Sequence, residues 1–389
     1  DEGLKAMKAA APAIAAGLPG FLGRADRGPE GTLNVLRDEE RVSRAAFPTA
    51  LHRAAEAYLV HRGDGVAIVA DYPGQDAPPE ETFTALRGLC LASGRIEEGR
   101  QILLEWARAF AKGAFSMRAS LWFSVAAHDY IEAANASRRR VSASDRRSLN
   151  GAIGAILEAC VEGARDRARM DEDGLLAAGE PGTLRAGKAV DVQALWLNAL
   201  RVAREVAPRW AELYERGRAS FERRFWNEEA ASLRDVVDVD HERGTADATI
   251  RVHQIFAVGG LPYAVLDGDR ARRVVNLAEA RFLTPVGLRA AAAGDGAGDS
   301  APDADPSIAY PWLLGPFVEA WVRVRGASPE AKREARERFL APLLERAAAA
   351  FGHLPEAMDA EPPHGRRGAP FHARSVAEAL RLDQVILAG

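Results

Sequence analysis

Only two cysteines, Cys90 and Cys160, occur in 389 residues, far apart and within apolar helical patterns. That scarcity excludes a disulfide-stapled scaffold and points to free buried thiols in a reducing, cytoplasmic setting. Long apolar runs are missing too: no stretch of about 18 apolar residues exists, so no helix is expected to span a membrane. The alanine-rich stretch 9–23 after Lys8 is broken by Pro and Gly, unlike the apolar run of a secretory signal. There is no basic excess. Lys and Arg total 51 against 55 Asp and Glu, a net charge of −4, which argues against nucleic acid as a partner. Walker A, GxGxxG and GxSxG motifs are absent, leaving nucleotide and serine-hydrolase readings without support. His353, His364 and His372 share the C-terminal region without HxxxH or paired-cysteine spacing. The aspartates of 294–306 lack the ligand spacing and closing Glu of a calcium loop. No metal and no cofactor is expected.

What the chain has is helical periodicity. In residues 99–112, Ile102, Leu103, Trp106, Ala107 and Phe110 fall on one helical face. Similar patterns near 41–61, 80–92, 118–135, 144–169, 188–207, 208–225, 249–259, 269–281, 309–325, 328–350 and 373–386 make roughly a dozen helices. No period-2 run is long enough for a core sheet, although 231–238 is compatible with a short strand or hairpin. Tight turns such as Ser93-Gly94 alternate with long connections at 62–80, 170–187, 226–248, 286–308 and 352–372, rich in Gly, Pro and Asp. Long loops of this kind are usually functional. An all-α fold follows, an (α/α)6 toroid of about twelve helices over residues 39–389 with its long loops at one end. An open solenoid is the rival, but no repeated pattern supports it. Residues 1–38, without periodicity, look like a linker or the remnant of a preceding domain, and the chain starts at Asp1, so a further segment is expected upstream.

Residues 170–200 carry the strongest chemical signal. Asp171, Asp173 and Glu180 precede a helix bearing Trp196 and Asn198. Carboxylates can move protons, an indole can face a pyranose ring, and an amide can bind hydroxyls: the parts of a sugar site. The block MDEDGLLAAGEPGTLRAGKAVDVQALWLNAL resembles the glucosidase domain of glycogen-debranching enzymes, the amylo-α-1,6-glucosidases. Further stretches match that family in order: 70–95, 117–123, 225–241, 250–258, 283–289, 309–320, 352–368 and 374–381.

The resemblance implies an inverting glycoside hydrolase acting on or binding α-glucan or malto-oligosaccharide, with a base in an LPE motif and an acid in a TWMD segment. A β-rich domain commonly precedes the toroid in that family. Inversion needs both carboxyl groups, one on each side of the scissile bond. Glu356, in LPEA, keeps the base. TWMD is absent, Thr183 running straight into Leu184 and Arg185, and Glu180 is the nearest substitute acid. Glu81, Trp122, Asp173, Trp196, Arg251, Gln254 and Trp312 are the expected substrate-binding residues. Other positions depart from the family pattern. Glu80 replaces an arginine, Arg118 an aspartate, His253 an asparagine and Arg374 a tryptophan, while ADPSIAYPW at 304–312 loses a His and a Gln. The expectation is a weak or inactive hydrolase, a pseudoenzyme that still binds glucan. A helical scaffold for protein partners, derived from the same fold, is the alternative.

Overall fold

The computed structural model describes residues 47–388 apart from 64, 73, 164–167, 205–206 and 293–304. The expected linker at 1–38 and most of the aspartate-rich loop lie outside the described residues. Among those residues are twelve α-helices. They are α1 (Ala50–Ala57), α2 (Pro79–Leu86, prolonged by the π-helical Arg87–Ala92), α3 (Ile96–Ala111), α4 (Met117–Ala136), α5 (Ala143–Glu162) and α6 (Val190–Ala203). After them come α7 (Pro208–Phe225), α8 (Gly268–Arg281), α9 (Leu314–Arg323), α10 (Pro329–Ala335), α11 (Ala341–Ala348) and α12 (Ala373–Arg381, prolonged by Leu382–Ile386). A 3-10 helix, Val252–Ala257, stands between α7 and α8.

Burial sorts these elements into two layers. In α6 the buried residues run almost without interruption from Val190 to Leu200, the mark of a helix enclosed on all sides. In α7 they are Trp210, Tyr214, Gly217, Ser220, Phe221 and Phe225, a single stripe facing inward. The inner layer comprises α2, α4, α6, the 3-10 helix, α9 and α12; each packs on the next, and α12 packs back on α2. That closure makes a toroid and rules out an open superhelix. Gly88 is needed there, because a Cβ would come within 1.9 Å of the Ala377 carbonyl oxygen.

Several boundaries differ from the sequence reading. The helix expected over 41–61 is described only as Ala50–Ala57. Beyond it, Leu59–Arg62 and Gly65–Tyr72 form an antiparallel hairpin that takes up the end of the expected helix and part of the stretch read as a loop. The segment expected to be α-helical at 249–259 is the short 3-10 turn. The helix expected over 144–169 stops at Glu162, where Gly163 adopts φ 68°. The 231–238 stretch does contain two short strands, Ser232–Leu233 and Val236–Val237. The other long connections carry short strands as well: Ile308–Tyr310 pairs with Gly287–Arg289 and with Ala357–Asp359, and Phe371–His372 pairs with Asp71 and Tyr72. These ribbons hold the loops over one end of the ring.

Candidate active site

A cavity of about 690 Å³ opens at that end. Its lining comes from the beginnings of the inner elements: Glu80 and Glu81 of α2, Arg118 and Trp122 of α4, Asp191 of α6, His253 and Phe256 of the 3-10 helix, Trp312 before α9, and His372 and Arg374 at α12. None of these inner starts is closed by a side-chain cap. On the outer layer, Thr49, Ser142 and Ser328 each accept a bond from the first turn they precede. The cavity therefore meets the positive ends of the inner helices, which favours carboxylates and other anions there.

Glu356 reaches the cavity from the loop before α12. Glu356 N–H donates to Ala369 O at 2.9 Å, and Ala369 N–H donates to Glu356 Oε2 at 3.0 Å. His372 N–H donates to Leu354 O at 2.8 Å, and the Ser375 hydroxyl donates to Pro355 O at 2.8 Å, tying the loop to α12. Gly368, at φ 62°, leaves room for the carboxylate, since a Cβ would stand 2.2 Å from Glu356 Oε2.

The remaining carboxylates of the cavity are engaged by cations. Glu81 Oε1 lies 2.6 Å from His372 Nε2 and 3.8 Å from Arg374 Nε. Burial alone would raise the Glu81 carboxyl, but the His372 bond and Arg374 hold it below its ordinary range. Asp191 accepts from Arg118 Nη1 at 2.8 Å and from Arg185 Nη2 at 2.7 Å. Against a large burial penalty, Arg185 and Arg118 keep it well below the usual carboxylate range. Arg185 also binds Asp235 through Nε at 2.7 Å and Nη2 at 2.8 Å.

Glu80 accepts from Arg118 Nε at 3.3 Å. Two departures from the family pattern that look unrelated in sequence, an acid at 80 and a base at 118, are thus partners in space. Relative to the family pattern the charges at the two positions are exchanged, and in this chain they pair. His253 lines the cavity with Nδ1 buried and without a hydrogen-bond partner. Burial, then Arg185, pushes its imidazole down to about 3, so the ring is neutral at physiological pH.

Of the residues expected to bind substrate, Glu81, Trp122 and Trp312 line the cavity together with Glu356. Trp312 lies beneath Arg374, whose guanidinium carbon is 4.7 Å from the ring centroid. Four others stand behind the wall. Trp196 is fully buried, and its Nε1 donates to Gly174 O at 2.9 Å, an indole spent on packing. Gln254 accepts from Leu233 N–H at 3.3 Å and donates to Arg251 O at 3.1 Å, so its amide fixes local backbone. Arg251 pairs with buried Asp235 at 3.1 Å. Asp173 binds Lys188 Nζ at 2.8 Å and also Arg224, in a cluster that includes Asp238. Glu180, the candidate acid, is exposed on its loop and absent from the cavity lining, although neighbouring Gly179 belongs to it. Arg185, Asp191 and Asp235 were not singled out from the sequence, and His372 was weighed there only as a metal ligand. Asp191 in an otherwise apolar helical run was the available signal, because a carboxylate buried there is costly unless a partner meets it.

The amylo-alpha-1,6-glucosidase family model matches residues 53–381. The chain belongs to that family. No curated protein matches the sequence. Solved structures share the fold of this family member at low identity. A neutral trehalase of Saccharomyces cerevisiae is 12% identical with a TM-score of 0.54, covering 79% of this chain and 71% of that one. An unsaturated glucuronyl hydrolase specific for heparin is 11% identical with a TM-score of 0.54, covering 86% and 93%. A rhamnosidase of a Bacillus species is 14% identical with a TM-score of 0.52, covering 77% of this chain. The chain spans 31% of the length of that rhamnosidase and 57% of a second one, from Klebsiella oxytoca. At these identities the likeness shows the (α/α)6 toroid of glycosidases and no more, and with the family it makes this a glycoside hydrolase-like domain. Among the described residues no helix is long and apolar enough to cross a membrane.

Proposed function

We propose that this domain binds the non-reducing end of an α-glucan or malto-oligosaccharide in the cavity above the ring, and that it retains a catalytic base without an acid. One observation carries the reading. Among the described carboxylates of the cavity, Glu356 has no ion pair; its Oε2 is held by a backbone N–H alone. That is the environment of a base free to take a proton from water. Glu80 is ion-paired with Arg118, and the Glu81 and Asp191 carboxyls are held below their ordinary range by their partners, which disfavours the protonated form an acid needs. Inverting hydrolysis needs both partners. Loss of one member of an acid–base pair costs about 10² to 10⁴ in rate, so release of glucose from α-1,6-linked stubs should be residual.

Titration calorimetry with a malto-oligosaccharide tests the binding half. Trp312→Ala should weaken binding about tenfold, from the loss of roughly 1–1.5 kcal/mol of ring contact. Equal affinity of wild type and variant would remove the cavity as the glucan site.

A further inference from the structure

On one side of the cavity stands Glu356, with Arg374 of α12, and on the other stand Arg185 and Arg118 with their partners Asp191 and Glu80. Glu356 sits on the loop entering α12, and Arg185 on the loop entering α6. Counting round the inner layer as α2, α4, α6, the 3-10 helix, α9 and α12, these two are three places apart in a ring of six, on facing sides. Both line the same cavity, and Arg118 stands beside Arg185, bound to the same Asp191. Arg185 uses Nε and Nη2 on Asp235 and Asp191, and Arg118 uses Nε and Nη1 on Glu80 and Asp191. Those bonds leave Arg185 Nη1 and Arg118 Nη2 as N–H donors, and they fix both guanidinium planes. His253, buried and with Nδ1 unpartnered, adds a third polar group to the same wall.

A guanidinium cannot deliver a proton, but it stabilises an oxyanion that leaves without one. We infer that the cavity is suited to a glycosyl unit whose leaving group departs as an anion, specifically a sugar 1-phosphate, with Arg185 and Arg118 taking the phosphate. This rests on the reading of Glu356 as a base facing a bound sugar and names the substrate class it can still turn over. In the balanced step, water attacks C1 of the monoanionic sugar phosphate while Glu356 accepts one water proton. The C1–O bond breaks, its electron pair leaves with oxygen as hydrogen phosphate dianion, and Glu356 later returns its proton to solvent. No oxidant, reductant or general acid is required. The free sugar carries the anomeric configuration opposite to that of the substrate. The open N-termini of the inner helices favour the same charge.

Glucose release should be followed for the wild type on α-glucose 1-phosphate, α-glucosyl fluoride and an α-1,6-branched limit dextrin, with NMR reading the first-formed anomer. The phosphate and the fluoride should be cleaved to β-glucose at least 100-fold faster than the dextrin, and Glu356→Gln should abolish both reactions. Arg185→Lys, checked for folding by its thermal melt, should lose at least tenfold more on the phosphate than on the fluoride. If that variant does not fold, the ranking of the three substrates by the wild type still decides. No glucose from the phosphate overturns the inference, whether or not the fluoride reacts, and leaves the glucan-binding reading standing as long as malto-oligosaccharide binds. Absence of that binding sinks the glucan reading instead. Cleavage of the dextrin as fast as the phosphate overturns both.

Discussion

Two ionic clusters lie inside the ring, and they differ in one respect. Deep in it, Arg381 of α12 donates to Glu319 of α9 at 2.5 Å and to Glu378 at 2.8 Å, while Arg323 holds the other Glu319 oxygen at 2.7 Å. Gly260 N–H donates to Glu319 at 3.1 Å; Arg87 then bridges Gly260 O at 2.7 Å and Asp129 of α4 at 2.6 Å. These groups bind one another and stitch the inner layer together below the cavity. Arg381 lies seven residues beyond Arg374, about 10 Å down the helix axis. Around the cavity, Arg118, Arg185 and Arg374 are also tied to carboxylates, but these three line the cavity, whereas Arg87, Arg323 and Arg381 do not. A closed network of buried charge holds the fold. An open one facing a cavity is equipped to meet a ligand. Residue type alone does not separate them.

Breaking the closed cluster should have the largest effect. Arg381→Met leaves buried Glu378 and part of Glu319 without a cation and should destabilise the domain by about 3–5 kcal/mol in urea unfolding, as removal of one partner of a buried pair does. A loss below about 1 kcal/mol would erase the distinction between the two clusters. The next effect concerns pH. His253 is held far below its unfolded pKa of about 6.5, so the unfolded chain binds a proton that the folded one refuses. The stability tied to neutral His253 is therefore complete above about pH 6.5 and falls as pH drops toward 3, with a slope approaching 1.4 kcal/mol per pH unit from this group. Urea titrations at pH 7, 6 and 5 should show this slope in the wild type and a shallower one in His253→Asn; parallel curves would mean that the ring is solvated. The smallest effect is expected at the half-exposed pair. Glu80→Gln should cost no more than about 1 kcal/mol of stability, because Arg118 keeps Asp191, and a larger loss would place that pair with the closed cluster.

The fold was legible because helical periodicity is a local signal and because tight turns alternate with long connections along the chain. The hairpin at Leu59–Tyr72 was not, since GVAIVADY is short, lies between Gly and Pro, and alternates only in part. The 3-10 turn at Val252–Ala257 looked α-helical because a handful of apolar residues fits either period. At the site, Glu356 and Glu81 could be picked out by family motif, but Trp122 and Trp196 could not be told apart. Both sit in buried helices, and only the placement of each indole shows that one meets the cavity while the other bonds Gly174. The charge exchange between Glu80 and Arg118 was invisible as a pair because 38 residues separate them. In one dimension it looks like two losses. In three the two residues form one ion pair.

The most direct test of a base without an acid is glucose release from an α-1,6-branched limit dextrin, measured from pH 4 to pH 8 for the wild type and Glu356→Gln. The structure predicts turnover at or near the background of the Glu356→Gln variant, with no bell-shaped profile, while malto-oligosaccharide still binds. A strong bell-shaped profile in the wild type that Glu356→Gln abolishes would contradict it and would mean that another carboxyl, such as Glu180, swings in to act as the acid.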